Sequence, residues 1–174
     1  MKKTIAIAYW LTPAEPEREL FAEIIRVLAT ELDAPLFEPH LTICVTREET
    51  QRARETLKQI AAAPIRMRVR DVHCSNRFTK TLFVRFQRNR AFDDLGASLR
   101  RAAKIPAGMS GDPHLSLLYK KVSTRAKEDL ISAVRLPFSE VAFDSMSAVR
   151  CAVPIRDRAD VEGWQTVATR SLRN

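Results

Sequence analysis

Pro39-His40-Leu41-Thr42-Ile43 and Pro113-His114-Leu115-Ser116-Leu117 are two nearly identical pentapeptides, and they hold two of the three histidines in the 174-residue chain. In a β-strand, side chains at i and i+2 share a face. His40 with Thr42, and His114 with Ser116, therefore each present one imidazole and one hydroxyl to the same side. Leu41, Ile43, Leu115 and Leu117 turn the other way, toward covering helices. Pro39 and Pro113 have no amide proton and restrain the residue before them, which sets how each strand is entered. A single His-x-Thr carries little information. A repeated one, on equivalent strands, points to two similar lobes that each contribute half of one site.

Around these strands the hydrophobic spacing predicts strands over 5–11, 40–46, 65–73, 81–87, 114–119, 138–143, 145–153 and 164–172. Helices are expected over 16–32, 48–62, 91–104 and 124–134. The first buries Leu20, Phe21, Ile24, Ile25, Leu28 and Leu32 at helical spacing and stops at Asp33-Ala34-Pro35. A loop spans 105–113. The pattern is α+β: two pseudo-twofold lobes of mostly antiparallel sheet, helices outside and a central cleft between, in one domain over 1–174.

Composition narrows the function. The net charge of +8 favours polyanions or phosphorylated metabolites as partners, with solubility as the plainer explanation. Arg66, Arg68 and Arg70 alternate with Met67 and Val69 as the wet face of a strand. Cys44, Cys74 and Cys151 form no CxxC pair, so neither a disulfide framework nor a zinc site is expected. Lys2 and Lys3 ahead of an apolar run superficially resemble a signal peptide. That run is short, contains Tyr9 and Trp10, and lacks a small-residue cleavage site, so it reads as a first strand. No stretch has membrane-spanning length. A cytoplasmic monomer is expected.

Two imidazoles and two hydroxyls around one cavity suit an anion of phosphate size. Opening a cyclic phosphodiester needs a base to deprotonate water and an acid to protonate the departing sugar oxygen; a neutral and a protonated histidine supply both. No carboxylate–histidine cluster has metal-ligand spacing, so neither metal nor other cofactor is expected. His73 has no such context and reads as structural or surface-exposed.

The paired motifs resemble those of the two-histidine (2H) phosphoesterase superfamily. The match extends to its plant- and yeast-type cyclic phosphodiesterases through Phe37-Glu38-Pro39, Asp112-Pro113, Leu118-Tyr119, Trp10-Leu11-Thr12-Pro13 and Trp164-Gln165-Thr166-Val167-Ala168. The resemblance implies metal-free hydrolysis of ADP-ribose 1″,2″-cyclic phosphate and of nucleoside 2′,3′-cyclic phosphates to 2′-phosphates. It implies His40 and His114 as the acid–base pair, with His114 leaning toward base and His40 toward acid. Thr42 and Ser116 would hold the phosphate, and Trp10 and Tyr119 would contact substrate. Strict alternation instead puts Tyr119 opposite His114, unless the strand twists, bulges or ends before it. Lys80, Arg85 and Lys120 are further cations that the sequence leaves unplaced. The competing readings are an RNA-directed relative acting on 2′,3′-cyclic ends or 2′–5′ linkages, which the charge would suit, and a nucleotide- or RNA-binding module without turnover.

Overall fold

A computed structural model describes residues 2–47, 49–105 and 111–172. The expected loop falls partly on residues 106–110, and the expected start of the second helix on residue 48; both lie outside the described residues. Among the described residues there are seven strands: β1 (Thr4–Pro13), β2 (Leu41–Thr46), β3 (Ile65–Cys74), β4 (Leu82–Phe86), β5 (His114–Leu118), β6 (Glu140–Val153) and β7 (Gln165–Ser171). They alternate with α1 (Glu17–Glu31), α2 (Thr50–Gln59), α3 (Arg90–Ala103), α4 (Thr124–Ala133) and α5 (Arg158–Glu162). No helix among them is long and apolar enough to cross a membrane.

Two expectations about the elements are corrected. The strands expected over 138–143 and 145–153 are one continuous strand, β6, whose pairing with β1 extends to both sides of Asp144 across a register shift at that residue. Helix α5 is absent from the pattern of expected elements; at five residues it is too short to display a hydrophobic period, and it is set by the Asp157 carboxylate accepting from the Asp160 N–H at 3.0 Å.

Every pairing is antiparallel, in the order β1-β2-β5-β4-β3-β6-β7, with β1 also paired to β6. The two strand groups expected from the repeat are β2, β1, β6 and β7 on one side, and β5, β4, β3 and the start of β6 on the other. They share β6 and meet again where Leu41 of β2 pairs with Leu115 of β5. That one pair is the seam between the halves.

The strand β1 is buried on both faces from Ala6 to Leu11. Ile7, Tyr9 and Leu11 join the main core, while Ala8 and Trp10 form a second apolar cluster with Val149 and Cys151 on the opposite face. Helix α1 buries Phe21, Ile25 and Leu28, and α3 buries Phe92, Leu95 and Leu99. Helix α1 ends where Asp33 turns left-handed at φ 49°. The Lys120 ammonium, just beyond β5, donates to the carbonyls of Leu32 and Asp33 at that helix end. Arg66, Arg68 and Arg70 are exposed, and the three cysteines are free, as read from the pattern.

The seam should be energetically prominent. Leu41 and Leu115 are both wholly buried, so Leu115→Ala is expected to cost about 2–5 kcal/mol. Denaturant unfolding checks this, and a loss well below that range would mean the two halves do not depend on the pair.

Candidate active site

Continuing the antiparallel register one residue to either side of Leu41·Leu115 sets His40 across from Ser116 and Thr42 across from His114. The pleat places all four side chains on the face opposite the two leucines. The two histidines are thus diagonal neighbours, a pair whose Cβ atoms are typically somewhat less than about 7–8 Å apart. A local pseudo-twofold relates the motifs, with the leucine pair at its centre. This register brings the two repeated elements side by side.

Each ring is held in the same way. His40 Nδ1 lies 2.6 Å from the Glu38 carbonyl oxygen, and His114 Nδ1 lies 2.9 Å from that of Asp112. A carbonyl oxygen can only accept, so Nδ1 carries the proton in both rings and Nε2 is left for chemistry. Both bonds span two residues around a proline, whose fixed φ and restrained predecessor keep the carbonyl over the ring.

The environments differ. His40 is only 5% exposed, and the Trp10 indole stacks on it at 3.7 Å between centroids, 15° from parallel. Burial pushes His40 down to about 4 from an ordinary 6.5; His114 nearby acts in the same direction, and the Glu38 carbonyl opposes it. His114 is half-buried. Its value is also lowered, chiefly by burial, with the Lys80 ammonium adding to the fall and the Asp112 carbonyl opposing it.

The hydroxyls differ too. Ser116 Oγ donates to the Thr79 carbonyl at 2.9 Å, whereas no hydrogen bond engages the Thr42 hydroxyl among the described residues. Trp10 sits opposite Thr42, after a register shift between Tyr9 and Trp10. One indole face is taken by His40, so Trp10 acts first as a platform for that ring. Its outer edge lines a small cavity with Thr12, Ser145, Ser147, Thr166 and Thr169.

For Tyr119, β5 ends at Leu118, so strict alternation no longer fixes its direction; the side chain is buried, with Ser116 near enough to act on its hydroxyl. Burial raises its pKa well above the ordinary value. Phe37 stacks on it at 4.2 Å.

Two site residues escaped the sequence reading. Trp164 lies at 5.0 Å from Trp10, 5.5 Å from His40 and 5.8 Å from Tyr119, edge-on to each. Phe83 pairs with Ser116 across β4–β5 and touches both His114 and His73 edge-on, at 5.5 Å each. Trp164 heads one of the stretches that carry the family resemblance, but that stretch does not place it beside His40, and Phe83 carries no local signal. His73 is exposed at the rim.

The three unplaced cations separate cleanly. Arg85 pairs opposite His114 but commits its guanidinium to Asp71 at 2.7 and 2.6 Å. Lys120 is engaged by the end of α1. Lys80 ends the single 3-10 turn Phe78–Lys80, with its ammonium 4.6 Å from the Phe83 ring centroid. It is the cation that acts on His114. Among the described residues no group of three or more histidine, cysteine, aspartate or glutamate side chains could hold a metal ion.

The chain matches a family model described as "Cyclic phosphodiesterase-like protein" over residues 5–172. It is 25% identical to the cyclic phosphodiesterase of Arabidopsis thaliana over 173 residues, covering 94% of this chain and 93% of that one. Similar solved structures include LigT of Escherichia coli in its apo form (TM-score 0.61, 15% identity, 99% of this chain and 100% of that chain). Another is a protein of Thermus thermophilus (TM-score 0.57, 19% identity, 97% and 98%). These structural likenesses bear on the fold.

Lys80 gives the site a measurable asymmetry. Its positive charge opposes protonation of His114, so Lys80→Met should let His114 titrate at higher pH while His40 moves little. Ring-proton NMR titration reads both midpoints. A His114 midpoint that stays put or falls would remove Lys80 from the site.

Proposed function

The chain belongs to the cyclic phosphodiesterase-like family and is a phosphodiesterase, and we propose that it opens small cyclic phosphodiesters by metal-independent two-histidine acid–base catalysis. The substrates would be ADP-ribose 1″,2″-cyclic phosphate and nucleoside 2′,3′-cyclic phosphates, the latter giving 2′-phosphates. The observation that carries this reading is the matched pair of Nδ1–H···O=C bonds, which leave an Nε2 on each ring beside the same seam. LigT structures described as complexes with 3′-AMP, ATP and NADP+ agree with a nucleotide-sized guest in this fold.

In the proposed reaction one imidazole takes a proton from water as its oxygen bonds to phosphorus. The P–O bond to the sugar breaks, and the other imidazolium delivers its proton to the departing oxygen. The Thr42 hydroxyl, with no competing partner, would donate to a phosphate oxygen. Ser116 would do so only after leaving the Thr79 carbonyl, which makes Thr42 the readier donor. The Lys80 ammonium favours the negative charge that builds on the phosphorane.

Burial divides the roles between the histidines. His40, lowered to about 4, is the ring more readily neutral and hence the base; His114, less buried, holds its proton more readily and is the acid. This reverses the direction leaned toward from the sequence. In the free enzyme the base must be neutral, so kcat/KM should fall as pH drops through about 4. The acid must be protonated, so kcat/KM should fall again as pH rises through the lowered His114 value. Bound phosphate favours imidazolium, so the alkaline limb of kcat should lie above that of kcat/KM. A profile that only rises through neutral pH would contradict the assignment.

The +8 charge keeps the RNA-directed reading as the comparison. Tight oligonucleotide binding with a steep salt dependence and weak turnover of cyclic mononucleotides would favour it. For the proposed reading, His40→Ala and His114→Ala should each lower turnover of a 2′,3′-cyclic nucleotide by roughly 10²–10⁴-fold, with circular dichroism showing an intact fold. Near-normal rates in either variant would overturn the pairing. EDTA should leave wild-type activity unchanged, and its loss would defeat the metal-free mechanism.

A further inference from the structure

The two flanks of the site carry different charge. On the Trp10 side, the cavity of about 190 Å³ is lined by hydroxyls, and its one cation, Arg18, already meets Glu38 at 3.5 Å. On the Tyr119 side lies a larger cavity of about 430 Å³, where Phe78 and Tyr119 form the wall and Lys120, Lys121, Arg156 and Arg158 contribute to the lining. Its two carboxylates are engaged: Asp33 meets Arg158 at 2.6 Å, and Asp157 lies 3.5 Å from Lys3. Four cations against two acids leave this cavity net positive. Lys121 is exposed and makes no ion pair among the described residues.

Tyr119 belongs to both places. It stacks on Phe37 and meets Trp164 edge-on, both of which stand beside the His40 ring, and it also lines the basic cavity. The cavity thus borders the Phe37–Tyr119–Trp164 cluster that packs around His40. A substrate whose cyclic phosphate sits at the histidines would extend past this cluster to bring a second anionic group among these cations. Apolar walls with a few convergent charges are the usual make-up of a ligand cavity, and ammonium and guanidinium groups are the side chains that recognise phosphate.

We propose that the basic cavity beside Tyr119 is a subsite for a second phosphate of an extended substrate, a pyrophosphate or phosphodiester attached to the sugar that bears the cyclic phosphate. This rests on the placement of the reacting phosphate between His40 and His114. It deepens that reading by making extended substrates, rather than cyclic mononucleotides, the ones the enzyme binds best.

The test compares wild type, Lys121→Glu and Arg156→Gln, both changes at exposed positions, on three substrates. These are a 2′,3′-cyclic mononucleotide, ADP-ribose 1″,2″-cyclic phosphate and a trinucleotide ending in a 2′,3′-cyclic phosphate. The expected result is a KM raised about tenfold or more for an extended substrate, the size of a lost charge-assisted hydrogen bond. The mononucleotide KM and every kcat should change by less than about twofold. Loss on ADP-ribose cyclic phosphate alone identifies a pyrophosphate subsite, and loss on the trinucleotide alone a phosphodiester one. Equal rises for all three substrates would mean diffuse steering, and no change would mean no subsite; either overturns the proposal.

Calorimetric binding of ADP-ribose 1″,2″-cyclic phosphate to His114→Ala, with and without Lys121→Glu, separates the two readings. Weakened binding in the double variant supports the subsite even if the wild type proves inactive. Unchanged binding counts against it even where turnover is confirmed.

Discussion

The bond from each histidine Nδ1–H to the carbonyl two residues earlier is the interaction on which the site depends. It needs only an X-Pro-His triplet at the head of a strand. The proline fixes its own φ and restrains the residue before it, which stiffens the turn that carries that carbonyl. With Nδ1 saturated, each ring has one free nitrogen: basic when the ring is neutral, acidic when it is protonated. The same fitting, used twice, would suit two proton carriers in the proposed reaction. Surroundings then make them different. Trp10 lies flat on His40 and shuts out water, while His114 keeps one side toward Lys80 and the rim.

The fold supplies the second requirement, which is convergence. Two motifs far apart in sequence become neighbours because β2 and β5 pair at Leu41 and Leu115, leaving the histidines diagonal and the hydroxyls crosswise. That apolar pair sits directly behind the polar quartet, so burying the leucines also aims the imidazoles. Each half of the sheet then adds a different flank. The β1–β6–β7 side brings Trp10 and a bed of serine and threonine hydroxyls, and the β4–β5 side brings Phe83 and Lys80. The basic cavity beside Tyr119 draws on both, with Arg156 and Arg158 following β6 and Lys120 and Lys121 following β5.

The quartet of candidate residues was legible in the sequence because a strand's two-residue period dictates which side chains share a face, and the repeat singled out two such faces that the β2–β5 pairing brings side by side. The sequence equally disclosed the helical stripe of α1 and the wet row of Arg66, Arg68 and Arg70. What it hid depends on contacts between distant segments. Trp164 joins the aromatic cluster only because β7 pairs beside β6. Phe83 and Lys80 reach His114 through the β4–β5 ladder and the turn before it. The position of Tyr119 turned on where one strand stops, a matter of a single residue that periodicity does not resolve. Whether β6 was one strand or two, and whether 158–162 formed a helix, were likewise settled by pairing and by one capping carboxylate.

The central claim is that both free Nε2 atoms face one phosphate. Long-range ¹H–¹⁵N NMR of the imidazoles during titration with a nucleoside 2′-monophosphate reads it directly. The account predicts that both His40 and His114 begin as Nδ1–H tautomers and that both Nε2 resonances shift together, saturating at one ligand per chain. An Nε2–H tautomer in the free protein, or a shift confined to one ring, would contradict it.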